Sequence, residues 1–358
     1  MADDTPKKEE KTFLQKAGGV IIDFADWLGE KLGEDRSFRA ICDDMGLDVK
    51  KTPEFPKLTL DGIKDYVTKP SPGLDAWFGV IADITKLVDE SIEAFDAQAF
   101  TSRAGGCEAP DPIFIVGMPR AGSTLVEQIL SSHSLVEGTT ELPDLPAVAR
   151  EGGHYPKSVL DLSKAGRRAR GEDYLKRASV QRRTAKPFFI DKLPNNWMFV
   201  PAIQLFLPNA KIIDVRRHPM ACCFSNFRQH FARGQNFTYA LEDVGKYYAD
   251  YVRLLAHVDS VLPGRVHRVI YERMVDDTEA EVRALLAHCG LEFEPACLEF
   301  HKTERAVRTP SSEQVRRPIY RDATDEWRAY EGHLDPLKAV LGSVLDAYPD
   351  APASFVQR

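Results

Sequence analysis

Apolar positions follow one rhythm in the first hundred residues and another after them. Phe13, Leu14, Ala17, Val20, Ile21, Phe24, Trp27, Leu28 and Leu32 recur at three- and four-residue intervals, which marks one face of a helix over 13–32. A short helix is expected over 38–45. A clearer one is expected over 74–95, with Trp77, Ile81, Ile84, Leu87, Val88 and Ile92 on one side. Pro53, Pro56, Pro70 and Pro72 separate these segments. No 34-residue period runs through them, so a helical solenoid is not expected. Residues 1–11 are small, polar and charged and are expected to form a disordered tail. Residues 12–105 then form a helical N-terminal region. Its apolar faces either cap the following domain or serve docking and oligomerisation, as in a homodimer.

Gly105, Gly106, Pro110 and Pro112 mark a linker, and the rhythm changes beyond it. Ile113-Phe114-Ile115-Val116 is a continuous apolar run, the pattern of a strand buried on both faces. Comparable runs recur at 188–190, 212–215 and 266–271. Helical patterns lie between them at 124–132, about 170–183, 198–206 and 239–262. Strands alternating with helices predict an α/β domain over 110–350, with a central parallel sheet in the middle of three layers. Ligands of such sheets bind at the carboxyl ends of the strands.

Composition narrows the function. The 358 residues carry a formal net charge of −7, so neither nucleic acid nor an anionic membrane is an expected partner. An anionic ligand would need a local basic pocket. The apolar stretch near Val20–Ile22 is too short to span a bilayer. The N-terminus has no signal-peptide pattern. Six cysteines occur without zinc-ligand spacing, and Cys222 and Cys223 are adjacent. Reduced thiols in a cytoplasmic protein are expected, with no metal.

The strongest chemical signal is Gly117-Met118-Pro119-Arg120-Ala121-Gly122-Ser123-Thr124, directly after the first buried strand and directly before a helix. Gly122 lets backbone N–H groups approach a ligand, and Ser123 and Thr124 add hydroxyls at the helix start. Together they form an anion site for phosphate or sulfate. A nucleoside-triphosphatase loop would place Lys before Ser123, and none is there. A nucleotide-dependent phosphotransferase is therefore the lesser alternative. A catalytically silent nucleotide-binding protein is another.

The string PRAGST after IFIVG resembles the 5′-phosphosulfate loop of sulfotransferases, above all the bacterial tyrosylprotein-sulfotransferase-like group. The resemblance covers roughly residues 110–345. It implies a P-loop-like fold that takes 3′-phosphoadenosine-5′-phosphosulfate as sulfuryl donor, without a metal. The acceptor would be a hydroxyl on a small molecule, a carbohydrate or a protein tyrosine. By the same resemblance, residues 120–124 cradle the 5′-phosphosulfate. Glu141, 21 residues after Arg120, is the general base. Lys192, in Asp191-Lys192-Leu193-Pro194-Asn195, stabilises the leaving phosphate together with Arg120. Arg217 and Ser225, eight residues apart, hold the 3′-phosphate. Tyr271 lies near the nucleotide, and the late loop 311–318 covers it with a serine and a basic residue; Ser312 and Arg317 are carried as the candidates, with Ser311 and Arg316 as the alternatives that the sequence leaves open. The residues themselves also admit plainer roles: Glu141 as a helix-start acid, Tyr271 as a core tyrosine, 311–318 as a surface loop. Arg216 is expected to be structural or superficial. His218, where the family usually has Asp or Asn, is expected to orient its loop. Enzymes that sulfate tyrosines in acidic peptides carry arginines two and six residues after the glutamate. Here those positions are Pro143 and Ala147, so the resemblance does not carry acidic-peptide recognition over at these two positions, and other basic residues would have to replace the arginines.

Overall fold

Four short runs rich in β-branched and aromatic residues, with a fifth strand of only three residues, build the centre of the protein, described here from a computed structural model. The structure describes residues 72–139, 141–229, 231, 235–303, 314–319 and 324–355. The strands are β1 (Pro112–Gly117), β2 (Val136–Gly138), β3 (Phe188–Lys192), β4 (Lys211–Arg216) and β5 (Val266–Ile270). They form one sheet in the order β2-β3-β1-β4-β5, and every neighbouring pair is parallel. All six residues of β1 are buried. Successive side chains of a strand point to opposite faces, so helices must cover both sides of the sheet. This is the expected three-layer α/β arrangement.

The sheet belongs to the unit Gly73–Arg358. The helices expected over 13–32 and 38–45 and the tail 1–11 lie outside the described residues. The helix expected over 74–95 spans Pro72–Ala94, and Ala97–Ser102 follows, capped by the Asp96 carboxylate on the Ala99 N–H.

Several boundaries differ from the sequence pattern, for local reasons. The helix expected from about 170 begins at Lys164, because Ser163 caps it by accepting from the Gly166 N–H, and it ends at Ser179. Its buried face is Arg167, Gly171, Tyr174 and Ala178, too polar to register as an apolar stripe. The helix expected at 198–206 spans Val200–Phe206. A 3-10 turn, Pro194–Phe199, precedes it and carries Trp197 into the core against Tyr247 and Tyr251 of helix Leu241–Val261. Tyr271 closes no strand but opens the helix Tyr271–Asp276. β2, three residues long, has no counterpart in the expected elements.

Chain order fixes where a ligand can sit. The path runs from β1 outward to β2, back to β3, then across β1 to β4 on the other side. Connections therefore diverge at the carboxyl end of β1, the switch point at which such sheets open a crevice. Gly117 ends β1 opposite Val215. A Cβ on Gly117 would lie 2.4 Å from the Val215 carbonyl oxygen, so only glycine lets the strands meet there.

Candidate functional site

Each strand contributes its last residues to one edge of the sheet. β1 contributes the loop to Gly122, β2 the segment to Glu141, β3 Asp191 and Lys192, β4 Arg216 and Arg217, and β5 Tyr271.

The loop after β1 is tightly wound. Among the described residues Arg120 is the only non-glycine with positive φ (63°), and Gly122 has φ 106°. Such strain persists where surrounding bonds over-determine it, often at binding sites. Those bonds come from one face of the helix Pro219–Arg228. Asn226 Nδ2 donates to the Pro119 carbonyl at 2.7 Å, and the Cys222 thiol to the same oxygen at 3.5 Å. Arg120 Nε donates to Ser225 Oγ at 3.2 Å. Arg217 Nη1 donates to the Arg120 carbonyl at 3.0 Å, and its guanidinium lies over the Tyr271 ring, 5.0 Å from the centroid. Tyr271 in turn presses on the glycine: a Cβ on Gly122 would come 2.6 Å from its Cδ2. The helix Ser123–Ser131 starts directly after it, so its first-turn N–H groups border the cradle.

These residues line one cleft. Arg120, Gly122, Thr124, Arg217, Ser225, Tyr271 and Arg317 of the expected set meet there, beside Leu125, Phe300, Val315 and Ile319. Ala121 and Ser123 are buried in the cradle itself. Ser312 lies outside the described residues. Arg228 was not expected, yet it follows Ser225 by three residues and therefore shares its helix face. Arg228 pairs with Glu326 at 3.0 Å, and Glu326 is the one acid in the lining. Four arginines facing one carboxylate form the basic pocket that an acidic chain needs for an anionic ligand.

Glu141 and Lys192 are not among the residues that line this cleft; they pair with each other, the lysine at the end of the neighbouring strand β3. Lys192 Nζ donates to Glu141 Oε1 at 2.6 Å; the lysine side chain is 3% exposed and the glutamate 49%. Lys192 stands opposite Ile115 in the register of β3 with β1, two residues before the end of β1. Glu141 does not cap a helix: the helix Asp144–Arg150 begins after Pro143. Asp191 is fully buried, and burial pushes its carboxyl up to about 8. The Tyr174 hydroxyl donates to it at 2.9 Å.

The remaining polar residues are structural. Arg216 is buried against Asp214 at 3.2 Å, and Asp214 also accepts from Arg268 Nε at 2.8 Å and from the Tyr251 hydroxyl. His218 orients its loop: its backbone N–H donates to Glu272 at 3.0 Å and its ring stacks on Trp327. His133 is buried, bonded to the Glu292 carbonyl. No group of three or more potential metal-ligating side chains gathers among the described residues. No described helix is long and apolar enough to cross a membrane.

A family model described as "Sulfotransferase family" matches residues 112–295, from the start of β1 to beyond the helix Thr278–Cys289. A protein of Aquifex aeolicus (strain VF5), described as "Uncharacterized protein", is 34% identical over 270 residues, 71% of this chain and 35% of the relative. The chain thus spans about a third of that relative's length. A Caenorhabditis briggsae protein described as "Putative protein-tyrosine sulfotransferase" is 25% identical over 226 residues, 60% of this chain and 80% of the relative. Among solved structures, the sulfotransferase domain from the Synechococcus PCC 7002 olefin synthase has a TM-score of 0.47 at 22% identity. That alignment covers 62% of this chain and 89% of that one.

Proposed function

Since the chain belongs to the sulfotransferase family, we propose that it transfers a sulfuryl group from 3′-phosphoadenosine-5′-phosphosulfate to a hydroxyl acceptor. The acceptor is a small molecule, a carbohydrate or a protein tyrosine. The observation that carries this reading is the meeting of a strained, glycine-bearing phosphate cradle with four arginines in one cleft, and a 2.6 Å carboxylate–ammonium pair at the neighbouring strand end.

The cradle fits a phosphosulfate. Gly122 lets the Tyr271 ring pack directly on the loop backbone, and the helix start offers backbone donors to anionic oxygens. Arg217 and Ser225 hold the 3′-phosphate, the arginine with its fork and the serine with its hydroxyl. Leu125, Phe300, Val315 and Ile319 offer an apolar wall to the adenine. Glu141 is exposed enough to meet an acceptor and takes the hydroxyl proton as the acceptor oxygen bonds to sulfur. The bond between sulfur and the 5′-phosphate oxygen breaks in the same displacement. Lys192 and Arg120 take up the charge that appears on the departing oxygen. Cations of the chain cover the donor's charge, so the transfer is proposed to run without a divalent metal. The five described cysteines are free, which supports a reducing, cytoplasmic setting.

The test of the donor is calorimetry with 3′-phosphoadenosine-5′-phosphate against AMP. Preference for the bisphosphate is expected. Equal affinities would remove the assignment of Arg217 and Ser225.

A further inference from the structure

We propose that Arg228 is a further ligand of the donor's 3′-phosphate, and that the Glu326 carboxylate holds its place until the phosphate displaces it. This rests on the reading of the cleft as a 3′-phosphoadenosine site given above. Ser225 and Arg228 stand one helical turn apart on the helix Pro219–Arg228, so both project from one face, and both line the cleft. Arg228 Nη2 lies 3.0 Å from Glu326 Oε2. Glu326 is the one carboxylate among the described residues of that lining. A carboxylate in a cleft that gathers an anion repels its ligand unless the two change places.

The pair can part without moving either backbone. Its side chains are 48% and 51% exposed, so water and salt screen their attraction. Arg228 has a second hold, because its guanidinium lies over the Phe224 ring, 5.1 Å from the centroid. Phe224 also meets Tyr330, ring centroids 4.9 Å apart. Glu326 opens the 3-10 segment Glu326–His333, whose Trp327 is buried and stacks on His218. When the ion pair opens, the guanidinium stays on Phe224, the segment stays on Trp327 and Tyr330, and only the carboxylate turns to solvent. A phosphate monoester carries about −1.5 to −2 charges at pH 7, against one for a carboxylate, and presents three acceptor oxygens. The guanidinium fork takes two of them at once. The phosphate, held also by Arg217 and Ser225, therefore wins the exchange. AMP has no phosphate at the 3′ position and leaves the pair closed. The exchange thus sharpens the choice between the two nucleotides.

The test is calorimetry with 3′-phosphoadenosine-5′-phosphate and with AMP, at one fixed ionic strength. Wild type, Arg228→Ala, Glu326→Gln and the double variant are compared. Thermal unfolding establishes that each variant folds; if Arg228→Ala does not, Arg228→Gln takes its place in the same cycle. Arg228→Ala should weaken the bisphosphate by about 5–20-fold, the loss of a charge-assisted contact discounted for its exposure, and AMP by about twofold at most. Glu326→Gln should tighten the bisphosphate by about 2–5-fold, because the arginine no longer has to be released from a partner. In the double variant most of that gain should disappear. Bisphosphate affinity unchanged in either single variant overturns the proposal. So does weakening of both nucleotides by one factor in Arg228→Ala. Weaker bisphosphate binding in Glu326→Gln also overturns it, since the carboxylate then props the arginine for the ligand. A Glu326→Gln gain as large without Arg228 as with it does the same, since the carboxylate then acts by general repulsion alone. Wild-type protein that does not distinguish the bisphosphate from AMP brings down the functional reading together with this inference. A wild-type preference for the bisphosphate that neither single variant alters brings down this inference alone.

Discussion

Replacing Arg217 by alanine should strip the protein of its preference for a 3′-phosphate. Arg217 is 7% exposed, so its guanidinium meets an anion with little competing water. A hydrogen bond to a charged group in such a setting contributes about 1.5–3 kcal/mol. At about 1.4 kcal/mol per decade, that is ~10–140-fold in Kd for 3′-phosphoadenosine-5′-phosphate. The residue has a second duty: it also donates to the Arg120 carbonyl and covers Tyr271. Losing that support, on the order of 1 kcal/mol, loosens the cradle and weakens every ligand that uses the 5′ site. AMP measures this shared part. The decisive quantity is therefore the ratio of the two affinities, titrated by calorimetry in wild type and in Arg217→Ala. The ratio should fall toward one. Arg217→Lys, which keeps a charge but not the fork, should fall between them. If bisphosphate and AMP weaken by the same factor in Arg217→Ala, Arg217 only braces the loop, and the 3′-phosphate is held elsewhere.

Gly122→Ala should lower the melting temperature by several degrees and weaken nucleotide binding. It costs about 1–2 kcal/mol in a left-handed backbone and drives a Cβ into Tyr271. Glu141→Gln should leave nucleotide affinity intact while turnover on phenol falls by about 10²–10⁴-fold and recovers on 4-nitrophenol. Lys192→Ala should slow both acceptors alike, because it removes charge stabilisation and not proton transfer. Acid should destabilise the fold through His288, stacked on His267 with ring centroids 5.1 Å apart. Burial, then the neighbouring His267, Lys211 and Arg265, holds the His288 imidazole down to about 4. The folded value lies below the usual 6.5, so the stabilisation is present above pH 6.5 and is lost as pH falls toward 4. Melting temperatures from pH 7 to pH 4.5 should fall less steeply in His288→Gln than in wild type; parallel slopes would exonerate the pair.

The cradle was legible because its signal is local. A four-residue apolar run, a glycine turn and a helix with hydroxyls at its start lie within a dozen positions. The strands β3 and β4 were legible for the same reason. β2 was not, since three residues carry no period. The helix Lys164–Ser179 was read late by about six residues because the face it buries includes an arginine and a glycine. Asp191 looked like mere company for Lys192. Its partner Tyr174 lies 17 residues back, on the helix Lys164–Ser179, and only the packing of that helix against the sheet brings the hydroxyl to the carboxyl. Arg228 could have been found, since a cation one helical turn after Ser225 must share its face. The late loop stays partly beyond comparison: Arg317 lines the cleft, whereas Ser312 lies outside the described residues.

The central claim is sulfuryl transfer, and chromatographic assay of donor and products tests it most directly. The protein is incubated with 3′-phosphoadenosine-5′-phosphosulfate and 4-nitrophenol in the presence of EDTA. Release of 3′-phosphoadenosine-5′-phosphate should match formation of 4-nitrophenyl sulfate mole for mole, at a rate that Lys192→Ala lowers. Chelator should not abolish it, because arginines, a lysine and backbone donors cover the donor's charge. No acceptor sulfate from a protein that nevertheless binds the nucleotide would contradict transfer. Transfer of a phosphoryl group from ATP that Mg²⁺ restores after chelation would replace it with phosphotransfer.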